Sequence, residues 1–363
     1  MRIGIDAHTL GQRKTGNETY VRNLIRELSA RGDADLEYVF YHLDGVETPP
    51  WRGQSRVVAG HPFVRIPLVF PLALRRDRVD VAHFQYVMPP VSPCRAVVVI
   101  HDISYEDHPE YFNPLQAYRM KWSIRASARR AAHVLTLSEF SKRQIVERYR
   151  VPPAGVTVTP AAASSAFRVL STAAVDEALA RLGVRRPFVV AVGNVQPRKN
   201  LELLMRAYAR LRRADRIPHD LVLVGQPAFR GSAILDTARA LGIETFVRHT
   251  GYVAEDDLVA LYNGADVFAY PSLYEGFGLP IVEAMACGTP VITSNVTSLP
   301  EVAGEAALLV DPKSEDELAT ALDRLLNDSA LRTKMRDLGT ARSRHFTWRR
   351  MADETVAVYR ALA

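Results

Sequence analysis

Short apolar runs and stretches of helical periodicity alternate from one end of the chain to the other. That alternation predicts parallel sheets whose strands are joined by crossover helices. In the first half the strands read as residues 2–6, 36–41, 79–84, 96–100, 133–137 and 156–159. Residues 17–31 predict a helix with Val21, Leu24, Ile25 and Leu28 on one face. Another helix opens after Ser138, a residue suited to an N-cap.

Pro160-Ala-Ala-Ala-Ser-Ser-Ala breaks the pattern with small residues behind a proline, as a hinge does. A short helix at 174–182 follows. Strands then resume at 188–192, 221–224, 246–250, 267–270, 290–293 and 307–309, with helices that include 201–212 and 315–326. The fold class is therefore α/β, with two doubly wound, Rossmann-like domains at 1–165 and 166–347. Residues 348–363 carry Met351, Thr355, Val358 and Tyr359 at helical spacing. Ligands of open α/β sheets bind at the carboxyl ends of strands, so both halves are expected to offer loops to a cleft between them.

Composition narrows the class without naming a function. Of the 363 residues 48% are apolar and 24% charged, as in an ordinary soluble globular protein. No apolar run approaches the ~20 residues that cross a bilayer, and the first residues read as a strand rather than a signal peptide. Cys94 and Cys287 lie far apart without metal spacing, which points to a cytoplasmic, disulfide-free protein. Residues 1–180 hold 23 Lys+Arg against 18 Asp+Glu, and the remainder 23 against 22. Part of the excess lies in Arg75, Arg76 and Arg78, directly after an apolar stretch. More of it lies in a helical stretch with Arg119, Lys121, Arg125, Arg129 and Arg130. Such faces serve as plain solvated surface, or as a patch for an anionic membrane surface or a lipid diphosphate. Nucleic acid is disfavoured, because no motif interleaves aromatic and basic residues.

The segment from Tyr270 to Pro290 carries the most chemistry. A strand feeds a turn holding Gly276 and Gly278, and a helix begins near Pro280. Backbone N–H groups at a helix N-terminus, approached closely over glycine, suit a phosphate. Glu275 lies in the turn and Glu283 about one helical turn further on, placed for hydroxyl groups on either side of a diphosphate. That layout is expected for a nucleotide-sugar. Arg198 and Lys199 follow Gly193 at the mouth of the first strand of the second half, where two cations can neutralise a diphosphate leaving group. His101 and Asp102 end an apolar strand in the first half.

These residues together resemble the retaining glycosyltransferases of the GT-B fold, specifically the large family 4. Glu275 and Glu283 match its E-x7-E signature; Gly193 to Asn200 resembles its G-x(4)-R-K-N/G motif, with Asn194 where some members carry a further arginine. Thr15-Gly16-Asn17-Glu18 matches the place of its glycine loop with one glycine retained, so phosphate approach falls to Gly16. The resemblance implies transfer of a hexose from a nucleoside diphosphate with retained configuration, without a metal or other cofactor. His101, Arg198, Lys199 and Glu275 would be catalytic. Donor binding would fall to Gly16, Asp102, Gly193, Tyr252, Val253, Phe277, Gly278, Leu279 and Glu283. It also implies that the last helix packs back on the N-terminal domain. The loop Tyr105 to Phe112 resembles the mannosyltransferase-like branch, which makes GDP-mannose the first-choice donor. The acceptor would be a glycan, a lipid-linked glycan or a small molecule, met in the cytoplasm or at the inner membrane face.

Two rivals are weaker. A nucleotide-sugar epimerase of the same fold carries different carboxylate and histidine sets. A non-catalytic nucleotide-sugar-binding subunit has no need to keep Glu275, Glu283, Arg198, Lys199 and His101 together. Asp33-Ala-Asp35 has the form of a metal-binding D-x-D motif but follows the first helix in a turn context, and reads as a solvated loop.

Overall fold

The computed structural model describes residues 1–11, 15–46, 51–229 and 231–363. It divides into two compact units. One comprises Met1–Asp107, Pro114–Ala161 and Thr347–Ala363; the other comprises His108–Asn113 and Ala162–Phe346. Each is built on a wholly parallel sheet.

The first sheet holds β1 (Arg2–Asp6), β2 (Glu37–His42), β3 (Gln54–Val57), β4 (Val81–Gln85), β5 (Arg95–Val99), β6 (His133–Thr136) and β7 (Val156–Val158). Their spatial order is β3-β2-β1-β4-β5-β6-β7. The second holds β8 (Phe188–Val192), β9 (Asp220–Val224), β10 (Val247–Gly251), β11 (Val267–Tyr270), β12 (Val291–Ser294) and β13 (Ala307–Val310), in the order β10-β9-β8-β11-β12-β13. Central strands are near-continuous apolar runs, all Val, Ala and Phe in β8 and Ala and Val after the exposed Arg95 in β5, because helices cover both faces of a parallel sheet. Strand order reverses between β1 and β4 and again between β8 and β11, so in each unit those carboxyl ends open a crevice.

Helices close the layers by amphipathic spacing. Leu201–Arg213 buries Leu204, Met205 and Tyr208, and Glu315–Asn327 buries Leu318, Leu322 and Leu325, in one core with the second sheet. Ser314 caps the latter helix by accepting from the Glu317 N–H at 3.1 Å. The helix Trp348–Ala361 belongs to the first unit: the Tyr359 hydroxyl meets His83 Nδ1 on β4 at 2.6 Å, both groups fully buried. Arg360 of the same helix holds Asp33 and Asp35, so the D-x-D stretch is ion-paired.

Three segments differ from the pattern expected of the sequence. The first helix runs Thr15–Arg31, which places Gly16 inside its first turn; Glu18 in that turn accepts from the Gly11 N–H at 3.0 Å. The apolar stretch before Arg75 is helical: Pro62–Val64, a π-helical turn Arg65–Val69 and Phe70–Arg76 run on from one another. Pro62 stands at the first position of the run, where a missing N–H costs nothing. The edge strand β3 has mostly exposed side chains and takes its conformation from pairing with β2. Among the described residues no helix is long and apolar enough to cross a membrane.

Candidate active site

In the second unit the chain leaves β8 through Gly193 (φ 137°), passes a 3-10 turn at Pro197–Lys199, and enters the next helix through Asn200 in the left-handed region. Asn200 Nδ2 donates to the carbonyls of Pro271 (3.1 Å) and Pro312 (2.8 Å), which ties this turn to the segments after β11 and β13. The Leu273 N–H donates to the Arg198 carbonyl at 2.9 Å. Arg198 and Lys199 are thereby held against the turn that carries Glu275.

The Glu275 carboxylate is gripped on both oxygens. Arg198 Nη1 donates to Oε2 and Lys199 Nζ to Oε1, each at 2.7 Å. Arg198 also donates to the Tyr274 carbonyl at 2.7 Å, and Lys199 to the Tyr270 hydroxyl at 2.5 Å. Burial pushes the Glu275 pKa upward, but the two cations outweigh it and hold the group down at about 2. Past Glu275, Gly278 (φ 99°) caps the helix Leu279–Ala286; a Cβ there would lie 2.9 Å from Leu299 Cδ2. The turn is fixed by Ser298, whose hydroxyl donates to the carbonyls of Glu275 (2.9 Å) and Phe277 (3.0 Å).

Glu283 lies one turn into that helix in the opposite electrostatic setting. Its listener is neutral: the Tyr262 hydroxyl donates to Oε2 at 3.3 Å. Burial lifts its pKa to about 8, against a partial lowering by Tyr262. One glutamate of the pair is thus ionised and the other protonated at neutral pH. The folded protein keeps a proton on Glu283 that an unfolded chain releases above the ordinary value of 4.5. Its contribution to stability is full below that value and is lost as pH rises towards 8. We expect Glu283→Gln to gain stability relative to the parent between pH 5 and 8, by about 1.4 kcal/mol for each unit of pKa shift expressed. Urea unfolding at pH 5, 6.5 and 8 measures this; a difference independent of pH would be inconsistent with a buried proton. Glu275 has the opposite sign, its stabilisation being present above 4.5 and lost as pH falls towards 2.

The other residues singled out in this unit are more loosely grouped. Gly251 ends β10 with φ 69° and its carbonyl accepts from the Gly225 N–H at 2.8 Å; Tyr252, beside it, is half exposed and Val253 partly buried. The Phe277 ring is buried edge-on against Phe346, with centroids 5.5 Å apart, so what this residue offers a ligand is its backbone.

In the first unit His101 stands just past β5, buried, with Nε2 3.2 Å from Gln85 Oε1 at the end of β4. Because that oxygen can only accept, Nε2 carries the hydrogen and Nδ1 is left as an acceptor. Burial, opposed by Asp102, lowers the imidazole to about 4 and keeps it neutral. Asp102 Oδ1 accepts from the Ser104 N–H (2.9 Å) and hydroxyl (2.7 Å), and so caps the short helix Ser104–Asp107. Gly16 is exposed, and among the described residues beyond its own helix backbone no atom lies within 4 Å of the position its Cβ would take.

A profile of the family "Glycosyltransferase Family 4" matches residues 15–167, and one of "Glycosyl transferases group 1" matches residues 178–342. The O-antigen chain mannosyltransferase B of Escherichia coli is 35% identical over 269 residues, covering 74% of this chain and 71% of that protein. The chain belongs to glycosyltransferase family 4. Solved structures agree on its fold. A sucrose-phosphate synthase from Thermosynechococcus elongatus matches with TM-score 0.80 at 23% identity, over 100% of this chain and 99% of that one. Anabaena HepE in complex with UDP and glucose matches with TM-score 0.77 at 19% identity, over 99% and 100%. Of other curated relatives the transferase spans less, 32% of a serotype-specific mannosyltransferase WbdA from Escherichia coli.

Several groups of this glycosyltransferase escaped the sequence. Tyr270 lies under Lys199, whose Nζ is 4.5 Å from the ring centroid, and its place at the end of β11 was the available signal. The segment His108–Asn113 packs with the second unit, where the His108 ring meets Tyr274 edge-on at 5.8 Å. In the first unit Asp6 ends β1 buried, 2.7 Å from His8 Nδ1. Arg65 is buried on the π-helical turn, donating from Nη1 to the Gly60 carbonyl at 2.8 Å, while its Nε has no partner among the described residues. An arginine within an apolar, proline-rich run carried no periodic signal of burial.

Proposed function

We propose that the enzyme transfers a hexosyl group, with mannose from GDP-mannose as first choice, to a glycan or lipid-linked acceptor in polysaccharide or glycoconjugate synthesis. The observation that carries this is the Glu275 carboxylate held at 2.7 Å by both Arg198 and Lys199 beside a glycine-capped helix. The Escherichia coli relative, an O-antigen chain mannosyltransferase, supports mannose, and the UDP and glucose bound by HepE support a nucleoside diphosphate sugar as donor. Arg198 and Lys199 meet the diphosphate, Glu275 the sugar hydroxyls, and Glu283 the ribose hydroxyls. Donor binding then exchanges charge, since the diphosphate takes over the cations that hold Glu275 and the carboxylate turns to hydroxyl donors.

In the reaction the bond from the anomeric carbon to the diphosphate oxygen breaks and the acceptor oxygen bonds to that carbon on the same face. The acceptor's proton passes to the departing diphosphate, and configuration is retained. Two fixed cations stabilise the charge that grows on the leaving group, which is the work a metal ion does elsewhere. His101, neutral and buried, offers Nδ1 to a sugar hydroxyl. The site of action is the cytoplasm, at the membrane surface through Arg75, Arg76 and Arg78.

The test is thermal unfolding with a panel of GDP-mannose, GDP, UDP-glucose, UDP and NAD, with and without EDTA. A ligand at 100 times its Kd adds about 2.7 kcal/mol. We expect a nucleoside diphosphate sugar to stabilise the protein, and transfer to survive EDTA. Stabilisation by NAD alone would end the proposal, and activity lost to EDTA and restored by Mn²⁺ would remove the cationic clamp from it.

A further inference from the structure

We infer that Thr297 is a positioning residue for transfer. Its hydroxyl fixes the backbone of Glu275, so that the carboxylate can leave its two cations for the donor sugar while the turn stays in place. The inference rests on the proposed function, in which Glu275 meets the sugar hydroxyls.

Thr297 lies, partly buried, in the loop between β12 and the helix Leu299–Ala303, with its backbone in the left-handed region at φ 61°. That region suits glycine or asparagine, and a branched Cβ is crowded there. Among the described residues no other β-branched residue has a positive φ. The chain is held on both sides of it: the Asn295 N–H donates to the Val310 carbonyl at 2.8 Å, and Ser298 is fully buried. Threonine is thus kept in a conformation it disfavours. Strain of this kind gathers where a fixed geometry is used.

The side chain shows the use. The Thr297 hydroxyl donates to the Val296 carbonyl at 2.7 Å. With its one hydrogen committed, the oxygen can only accept, and it accepts from the Glu275 N–H at 3.2 Å. That amide has no other partner among the described residues. The next hydroxyl, of Ser298, donates to the Glu275 carbonyl at 2.9 Å. Two consecutive hydroxyls therefore hold both polar groups of the Glu275 backbone, while Arg198 and Lys199 hold its carboxylate. Glycine at 297 would fit the loop without crowding but would leave the Glu275 N–H unpaired. When a donor sugar draws the carboxylate away from the cations, the two backbone bonds persist, and the side chain pivots about a fixed Cα.

The experiment compares Thr297→Ser, Thr297→Val and Thr297→Gly in the full chain, by thermal unfolding and by steady-state kinetics with the nucleotide-sugar that the panel above selects. Serine keeps the hydroxyl, valine keeps the branched shape without it, and glycine removes both. We expect kcat to fall roughly ten- to a hundredfold in the valine and glycine variants alike, as misplacing a reacting group by about 1 Å does. The serine variant should stay close to the parent. Tm should follow another order, with glycine above valine, because relief of strain acts on stability alone. The Kd of GDP or UDP, whichever the panel shows to bind, should stay within about twofold of the parent in all three, since neither carries the sugar. Added to Glu275→Gln, Thr297→Gly should cost little more turnover, because both changes act through one carboxylate. A kcat that tracks Tm through the series, that survives in Thr297→Gly, or that Thr297→Ser fails to restore overturns the inference and leaves the role of Glu275 standing. A full further loss on the Glu275→Gln background overturns it too. Turnover intact in Glu275→Gln overturns the reading of the site, and the inference with it.

Discussion

Replacing Lys199 with alanine should lower kcat by roughly 10²–10³, about 3–4 kcal/mol of transition-state stabilisation, with a much smaller change in donor KM. The reason lies in when its charge is needed. Negative charge on the diphosphate grows as the glycosidic bond breaks, so a cation there stabilises the transition state more than the ground state. Glu275→Gln should fall with it, because the carboxylate organises both Arg198 and Lys199. Glu283, assigned to the ribose, holds a part of the donor that does not change in the reaction. Its conversion to Gln should raise KM and move kcat less. Donor steady-state kinetics of the three variants decide the matter. Turnover abolished by Glu283→Gln and preserved by the other two would reverse the roles.

Gly225→Ala should be the most damaging single methyl group in the second unit, at a cost of about 3 kcal/mol or more. Gly225 follows β9 with φ 136°, and an added Cβ would lie 2.2 Å from the Gly193 carbonyl oxygen. Relief would have to move Gly193, whose own missing Cβ leaves room for Lys199 Cε, or break the bond from the Gly225 N–H to Gly251. Three strand ends are stitched at this point, so donor KM should rise along with the loss of stability. Urea denaturation and donor kinetics measure both. Gly16→Ala is the contrast: with a helical position and no crowding atom among the described residues, it should gain up to about 1 kcal/mol. A donor KM unchanged in Gly16→Ala would withdraw the phosphate role given to Gly16.

Much of the α/β order was legible because buried parallel strands are continuous apolar runs, as at Phe188–Val192, where the expected and observed bounds coincide. Elsewhere the ends moved by a residue or two, since pairing register rather than side-chain character sets the last bonded residue. The π-helical segment escaped because three prolines argue against a helix by propensity, although Pro62 at the start of the run loses no hydrogen bond there. The helix Ser329–Ser343 buries chiefly Met335, Gly339 and Ser343, too few large groups to leave a periodic trace. At the site, the residue types were visible but their arrangement was not. Arg198 and Glu275 stand 77 positions apart, and they meet because β8 and β11 are neighbours where the strand order reverses. No local pattern encodes that adjacency, nor the opposite ionisation of two glutamates eight residues apart.

The closing helix carries a consequence for the making of the protein. The first unit includes Thr347–Ala363, and Tyr359 fills its interior against His83. A growing chain therefore emerges with all seven strands of its opening sheet but without the helix that packs on them, while everything the second unit needs has been supplied once Phe346 is out. The half encoded later can therefore be complete first, against the usual progression from N-terminus to C-terminus. Until Thr347–Ala363 has been made, the first unit lacks the partner of His83, and a ribosome stalled before that segment leaves an incomplete half attached to a complete one.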